Sequence, residues 1–127
     1  NTDGSSNKVV RVYTKDSDGN VVDTGSETTK TLTINTWSFI TVVFDRPNED
    51  ILVYKDDSLT EYNKDASTWD ATKTFNNTEP ITIGASDTLA TGTFFDGMID
   101  DVRIYNKALS EPDITKNYRH GTAKHKD

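Results

Sequence analysis

The run Trp37–Asp45, Trp-Ser-Phe-Ile-Thr-Val-Val-Phe-Asp, limits the fold more than any other stretch of the chain. With the two-residue period of a strand, Trp37, Phe39 and Val43 share one face, and Ile40, Val42 and Phe44 share the other. A strand that is apolar on both faces belongs inside, covered at least in part on each side. This reading makes Trp37 a core residue. Arg46–Asp50 is a polar turn containing Pro47, and Ile51–Lys55 reads as the next strand, hairpinned to the first.

The rest of the chain has the same texture. Lys8–Thr14 and Val21–Thr24 read as strands joined by Asp16-Ser17-Asp18-Gly19-Asn20, where the Asp-Gly pair suits the positive φ of a hairpin turn. Thr28–Ile34 alternates, with Leu32 and Ile34 on one face, and Ile81–Gly84 and Phe94–Tyr105 read as two further strands. Residues 56–79 are polar and irregular around Leu59, Tyr62, Trp69 and Phe75, opening on Asp56-Asp57 as a loose loop. Ser110 followed by Glu111, Pro112 and Asp113 has the spacing of a capped helix start, so one short helix is predicted over 111–118. Short strands at near-regular spacing with turn residues between them predict an all-β antiparallel sandwich or barrel. A length of 127 residues suits one domain. That domain is expected over 1–119, with 120–127 as a mobile basic tail.

Charge narrows the partners. The net charge is −7, and residues 116–127 hold Lys116, Arg119, Lys124 and Lys126 against Asp127, which leaves −10 on residues 1–115. A body this acidic repels phosphate backbones, so nucleic acid is not an expected partner. Mean hydropathy is −0.70, but the apolar residues gather in strand-like runs, which argues against disorder. Cysteine is absent, so disulfides and thiolate metal sites are excluded. No apolar run approaches the roughly 20 residues of a membrane span, and no signal peptide is visible. The chain begins at Asn1 without Met, as a processed chain or a fragment would. Asn76-Asn77-Thr78 forms a glycosylation sequon.

Four segments, WSFITVVFD, ILVYKDD, ITIGAS and FDGMIDDVRIYNKALSEPDI, together resemble the laminin-G-like family of concanavalin A-type lectin/glucanase folds. The last, with its Phe-x-Gly turn, its Asp-Asp-Val-Arg-Ile-Tyr strand and the acidic helix start behind it, is the specific one. The resemblance runs over about residues 28–119. It implies an antiparallel β-sandwich jelly roll with one short helix near the C-terminus, in an extracellular or cell-surface protein. The family's usual opening strands have no counterpart here, so either residues 1–30 compensate, the chain is a fragment, or a second copy or partner chain supplies the cover that a jelly roll needs.

Strand alternation places Met98, Asp100, Val102 and Ile104 on one face of the last strand. If Val102 and Ile104 face the core, Asp100 points inward, where a carboxylate needs a cation or several donors. Related folds hold a structural Ca²⁺ with an Asp at this point; the alternative is a carboxylate satisfied by backbone N–H groups, Lys or Arg. Asp101 with Arg103 reads as a surface pair. Asp16, Asp18, Asn20, Val22, Thr24 and Glu27 mimic calcium-loop spacing, but Val21 stands where such a loop needs Gly, so the segment reads as a hairpin.

Trp69 and Tyr62 are the candidate ligand-binding residues. Exposed, they would stack on a sugar face; turned inward, they would plug the end of the sandwich. Catalysis finds little to work with. His120 and His125 sit in the basic tail, and Glu27, Glu49, Glu61, Glu79 and Glu111 lie in loops, turns or the helix start, not paired on a strand as in the glycoside hydrolases of similar fold. The expected function is a non-catalytic binding or adhesion module for carbohydrate or protein. Its alternative is a structural subunit completed by another chain, as a homo-oligomer or with a partner.

Overall fold

The computed structural model describes residues 8–10, 12–23, 31–48, 50–60, 70, 72–75, 81–85, 91 and 94–124. Among these, strands β1 (Lys8–Val9), β2 (Tyr13–Lys15), β3 (Val21–Asp23), β4 (Thr31–Leu32), β5 (Ile40–Asp45), β6 (Asp50–Lys55) and β7 (Ser58–Thr60) precede one helix, α1 (Glu111–Thr122).

The doubly apolar run forms β5, paired antiparallel with β6 from Ile40↔Lys55 to Asp45↔Asp50. β7 lies along the other edge of β6, so β6 is the middle strand of three. A loose loop was expected after Tyr54, yet Lys55 pairs with Ser58 across a two-residue connection. Asp56 makes it possible by taking φ 60°, a region that Asp enters more readily than most side chains. Its N–H donates to Phe39 O at 2.6 Å and its Oδ1 accepts from Phe39 N–H at 3.1 Å. The β5 ladder thereby gains a step before Ile40.

Both faces of this sheet are covered, as the alternation predicts. On one, Ile51 is fully buried under Val12, Val42, Phe44 and Phe75, with the Phe44 and Phe75 rings 5.0 Å apart. On the other, Val43 and Tyr54 pack with Ile114 of α1, and Leu52 and Leu109 close the margin. Burying one such aliphatic side chain stabilises by about 1.5–3 kcal/mol. Tyr54 is held above its ordinary pKa, first by burial and then by the Glu111 and Asp45 charges.

Helix α1 starts where its capping residues predict. Ser110 Oγ accepts from Asp113 N–H at 3.4 Å and donates to Asp113 Oδ2 at 2.9 Å, and Pro112 occupies the first turn, where its missing N–H costs nothing. The helix ends a turn later than expected, at Thr122. The extra turn has a packing reason: Gly121 is buried against Phe39, whose ring lies 3.2 Å from where a Cβ would stand, and Tyr118 meets the same ring at 6.2 Å.

The predicted strand 8–14 divides in two. Lys8–Val9 pairs with β4, and Tyr13–Lys15 pairs with β3 across the loop Asp16–Asn20. Three further expectations fail. Trp37 is 44 % exposed, because the strand begins only at Ile40 and the chain before it is a turn with Asn35 at φ 60°. Residues 81–84 form no strand, although Phe95 N–H donates to Gly84 O at 2.7 Å. Residues 94–105 form none either, and Val102 and Ile104, expected in the core, are exposed. Asp101 at φ 55° breaks the alternation on which that core face depended.

Candidate functional site

Three loops meet at the end of the sheet where β5 turns into β6. In the β2–β3 loop, Asp16 is only 2 % exposed. Its Oδ1 accepts the N–H groups of Asp18 at 2.9 Å and Asn20 at 2.8 Å, and its Oδ2 accepts Asn20 Nδ2 at 2.9 Å. Gly19 supplies φ 84°, a conformation that a side chain would strain. The calcium-like spacing of Asp16, Asp18 and Asn20 thus resolves as a hairpin loop wound around its own carboxylate. The Asn20 side-chain bond, aided by the backbone donors and by Lys73, outweighs desolvation and holds the Asp16 carboxyl below its ordinary pKa.

The second loop, seen in residues 70 and 72–75, docks on the first. Ser17 N–H donates to Thr74 O at 2.7 Å, and Lys73 Nζ lies 2.6 Å from Asp18 Oδ2, which raises the Lys73 pKa. Asp70 caps its own loop, accepting from Thr72 Oγ1 at 2.6 Å and Thr72 N–H at 2.9 Å, and these bonds lower its pKa. Arg46, from the β5–β6 turn, donates to Lys73 O at 2.7 Å. This assembly escaped the sequence reading, though Asp70-Ala71-Thr72 carries the usual signal of an Asx turn. The result is a polar end whose carboxylates, amides and lysine are tied in place.

Trp69 and Tyr62 lie outside the described residues. Asp100, expected to point inward, is exposed, and its Oδ1 accepts Asp101 N–H at 2.7 Å. Asp101, next to it, is heavily engaged. It takes Arg103 Nε at 3.0 Å and Nη2 at 2.7 Å, and Lys124 Nζ at 3.3 Å, so its carboxyl is held below its ordinary pKa, by Arg103 foremost. Arg103 also donates to Asn117 Oδ1, and Asn117 Nδ2 donates to Tyr105, which fastens this segment to α1. Ca²⁺ takes six to eight oxygen ligands. Asp100 brings one exposed carboxylate, and no group of three or more His, Asp or Glu residues suited to a metal gathers among the described residues. No helix among the described residues is long and apolar enough to cross a membrane.

Comparison with known proteins bears on the fold. Residues 3–115 match a laminin-G-type family described as the concanavalin A-like lectin/glucanases superfamily, a longer stretch than the 28–119 resemblance and one that takes in the opening residues. Among curated proteins, none matches significantly. A solved structure, residues 221–444 of an S-layer domain-containing protein from Clostridium thermocellum ATCC 27405, is similar over 92 % of this chain, with TM-score 0.50 and 23 % identity. The chain spans 59 % of that structure's length.

Proposed function

We propose that this chain, which belongs to the laminin-G-type concanavalin A-like lectin/glucanases superfamily, is a non-catalytic binding module of an exported or cell-surface protein. Its full architecture on this reading is the antiparallel β-sandwich jelly roll. The structural neighbour is an S-layer domain-containing protein, which supports a surface location. Fold alone names no ligand. The observation that carries the reading is the tied polar end. Asp70 and the Asp18–Lys73 pair offer fixed acceptors and a donor to a hydroxyl-rich ligand, and Trp69 directly precedes Asp70 in sequence. Fixed polar groups next in sequence to a tryptophan suit the chemistry of a sugar, which needs both hydrogen bonds and C–H stacking.

The proposed ligand is therefore a carbohydrate, bound by residues 16–20 and 70–75 together with Trp69 and Tyr62. Isothermal titration with hits from a glycan array tests this. Trp69→Ala should weaken binding about tenfold or more, in keeping with the loss of a stacked aromatic anchor. Equal affinity in the wild type and this variant would remove Trp69 from the site.

Calcium belongs to the same proposal, as a structural ion at Asp100. Chelation by EDTA should then lower the melting temperature, because a ligand that binds only the native state stabilises it. An unchanged value retires the ion.

A second reading, a structural subunit completed by another chain, is favoured by a different observation. Met98 and Ile104 are about three-quarters exposed, at 75 % and 74 %, within a longer apolar stretch. Concentration-dependent sedimentation is its test.

A further inference from the structure

The outer face of α1 carries an open groove of about 530 Å³, lined by Glu111, Pro112, Thr115, Lys116, Arg119 and His120. The helix period puts these residues on the side away from Ile114 and Gly121, which are buried. The cations gather at one end. Lys116 and Arg119, three residues apart, are neighbours on the helix surface. His120 adds a ring N–H donor, and all three are exposed. Glu111, also exposed, marks the other end.

The fold gives these cations no work. Lys73 pairs with Asp18, and Arg103 and Lys124 pair with Asp101, whereas Lys116 and Arg119 make no ion pair among the described residues. Asp113 is bonded to Ser110, and the Lys116 charge is the weakest of the influences on it. Like charges at this helical spacing cost stability. The helix dipole accounts for Arg119 and His120 in the last turn, but not for Lys116 a turn earlier. In a chain of net charge −7, a basic face left without acid partners suits an anion from outside. The groove has the volume of a small-molecule site and not the extent of a protein interface. Arginine offers a carboxylate two parallel donors. Pro112 and Thr115 add C–H surface and a hydroxyl to the same groove.

We propose that this groove is a second ligand site, apart from the polar end, which takes the carboxylate of an acidic sugar within a glycan. The proposal rests on the carbohydrate reading for the nature of its ligand, and on α1 alone for its place. Lys116 and Arg119 hold the carboxylate, and His120 donates to a neighbouring sugar oxygen. Glu111 keeps the anion at the basic end.

Isothermal titration of trigalacturonate, and of its uncharged methyl ester, into the whole chain tests it. The acid should bind and the ester should not, and added salt should weaken the binding of the acid. Lys116→Ala and Arg119→Ala should each raise the dissociation constant about tenfold. Glu111→Gln should lower it about twofold, because it removes a like charge from the groove. Circular dichroism establishes that each variant is folded. An acid bound no better than its ester, or bound equally by wild type and the Lys116→Ala/Arg119→Ala double variant, overturns this site and leaves the polar end standing. Inorganic phosphate that displaces trigalacturonate at equal concentration overturns the sugar as its ligand. A chain that binds no glycan, acidic or neutral, overturns this site together with the carbohydrate reading.

Discussion

Two aspartates carry conformations that their neighbours depend on. Asp56 spends backbone strain at φ 60° to close a two-residue turn and return its carboxylate to Phe39 N–H. Asp56→Ala keeps the strain and loses the acceptor, so it should destabilise by about 1–2 kcal/mol in urea unfolding. Asp56→Gly should cost less, because glycine relieves the strain. Asp16 acts through its protonation state. Its folded pKa lies below the unfolded value of about 3.9, so its stabilisation is present above that pH and is lost as pH falls through the folded pKa. Melting temperatures of wild type and Asp16→Asn, followed from neutral pH into acid, should differ most at neutrality and converge at the acid end. Parallel curves would mean that the Asp16 charge is not what orders the loop.

Helix α1 covers one face of the β5–β6–β7 sheet, and Val12 and Phe75 pack on the other. Ile51→Ala and Ile114→Ala each empty a fully buried site and should cost about 2–5 kcal/mol. Ser110→Ala removes the N-cap and should cost about 1 kcal/mol. Gly121→Leu should cost about 1–3 kcal/mol by forcing a side chain into the Phe39 ring. Near-wild-type stability for that variant would show that α1 does not press on Phe39. These elements were legible in the sequence because their causes are local: alternation in Trp37–Asp45, a Ser-to-Asp cap, an Asp-Gly loop. The tight turn at Asp56 was not, since Asp is one of several residues able to enter positive φ and only the pairing of β7 demands it. The helix end was missed for a similar reason, because Gly121 suggests a stop until Phe39 is seen beneath it.

At the scale of the molecule, the sequence showed which residues are apolar but not which of them are covered. Val102 and Ile104 have the pattern of a core strand, yet they are exposed, and Asp100 turns outward with them. Burial is decided by what packs across a strand, which no local pattern contains. The polar end was hidden likewise, since Asp18, Lys73 and Arg46 come from three separate loops and meet only in the fold. The central claim is carbohydrate binding at the polar end. It is tested most directly by titrating the best glycan-array hit into wild type, Lys73→Ala and Ile104→Asp. The account predicts saturable binding that Lys73→Ala weakens about tenfold and Ile104→Asp leaves intact. A folded protein that binds no glycan, or binding that survives Lys73→Ala and fails in Ile104→Asp, would contradict it.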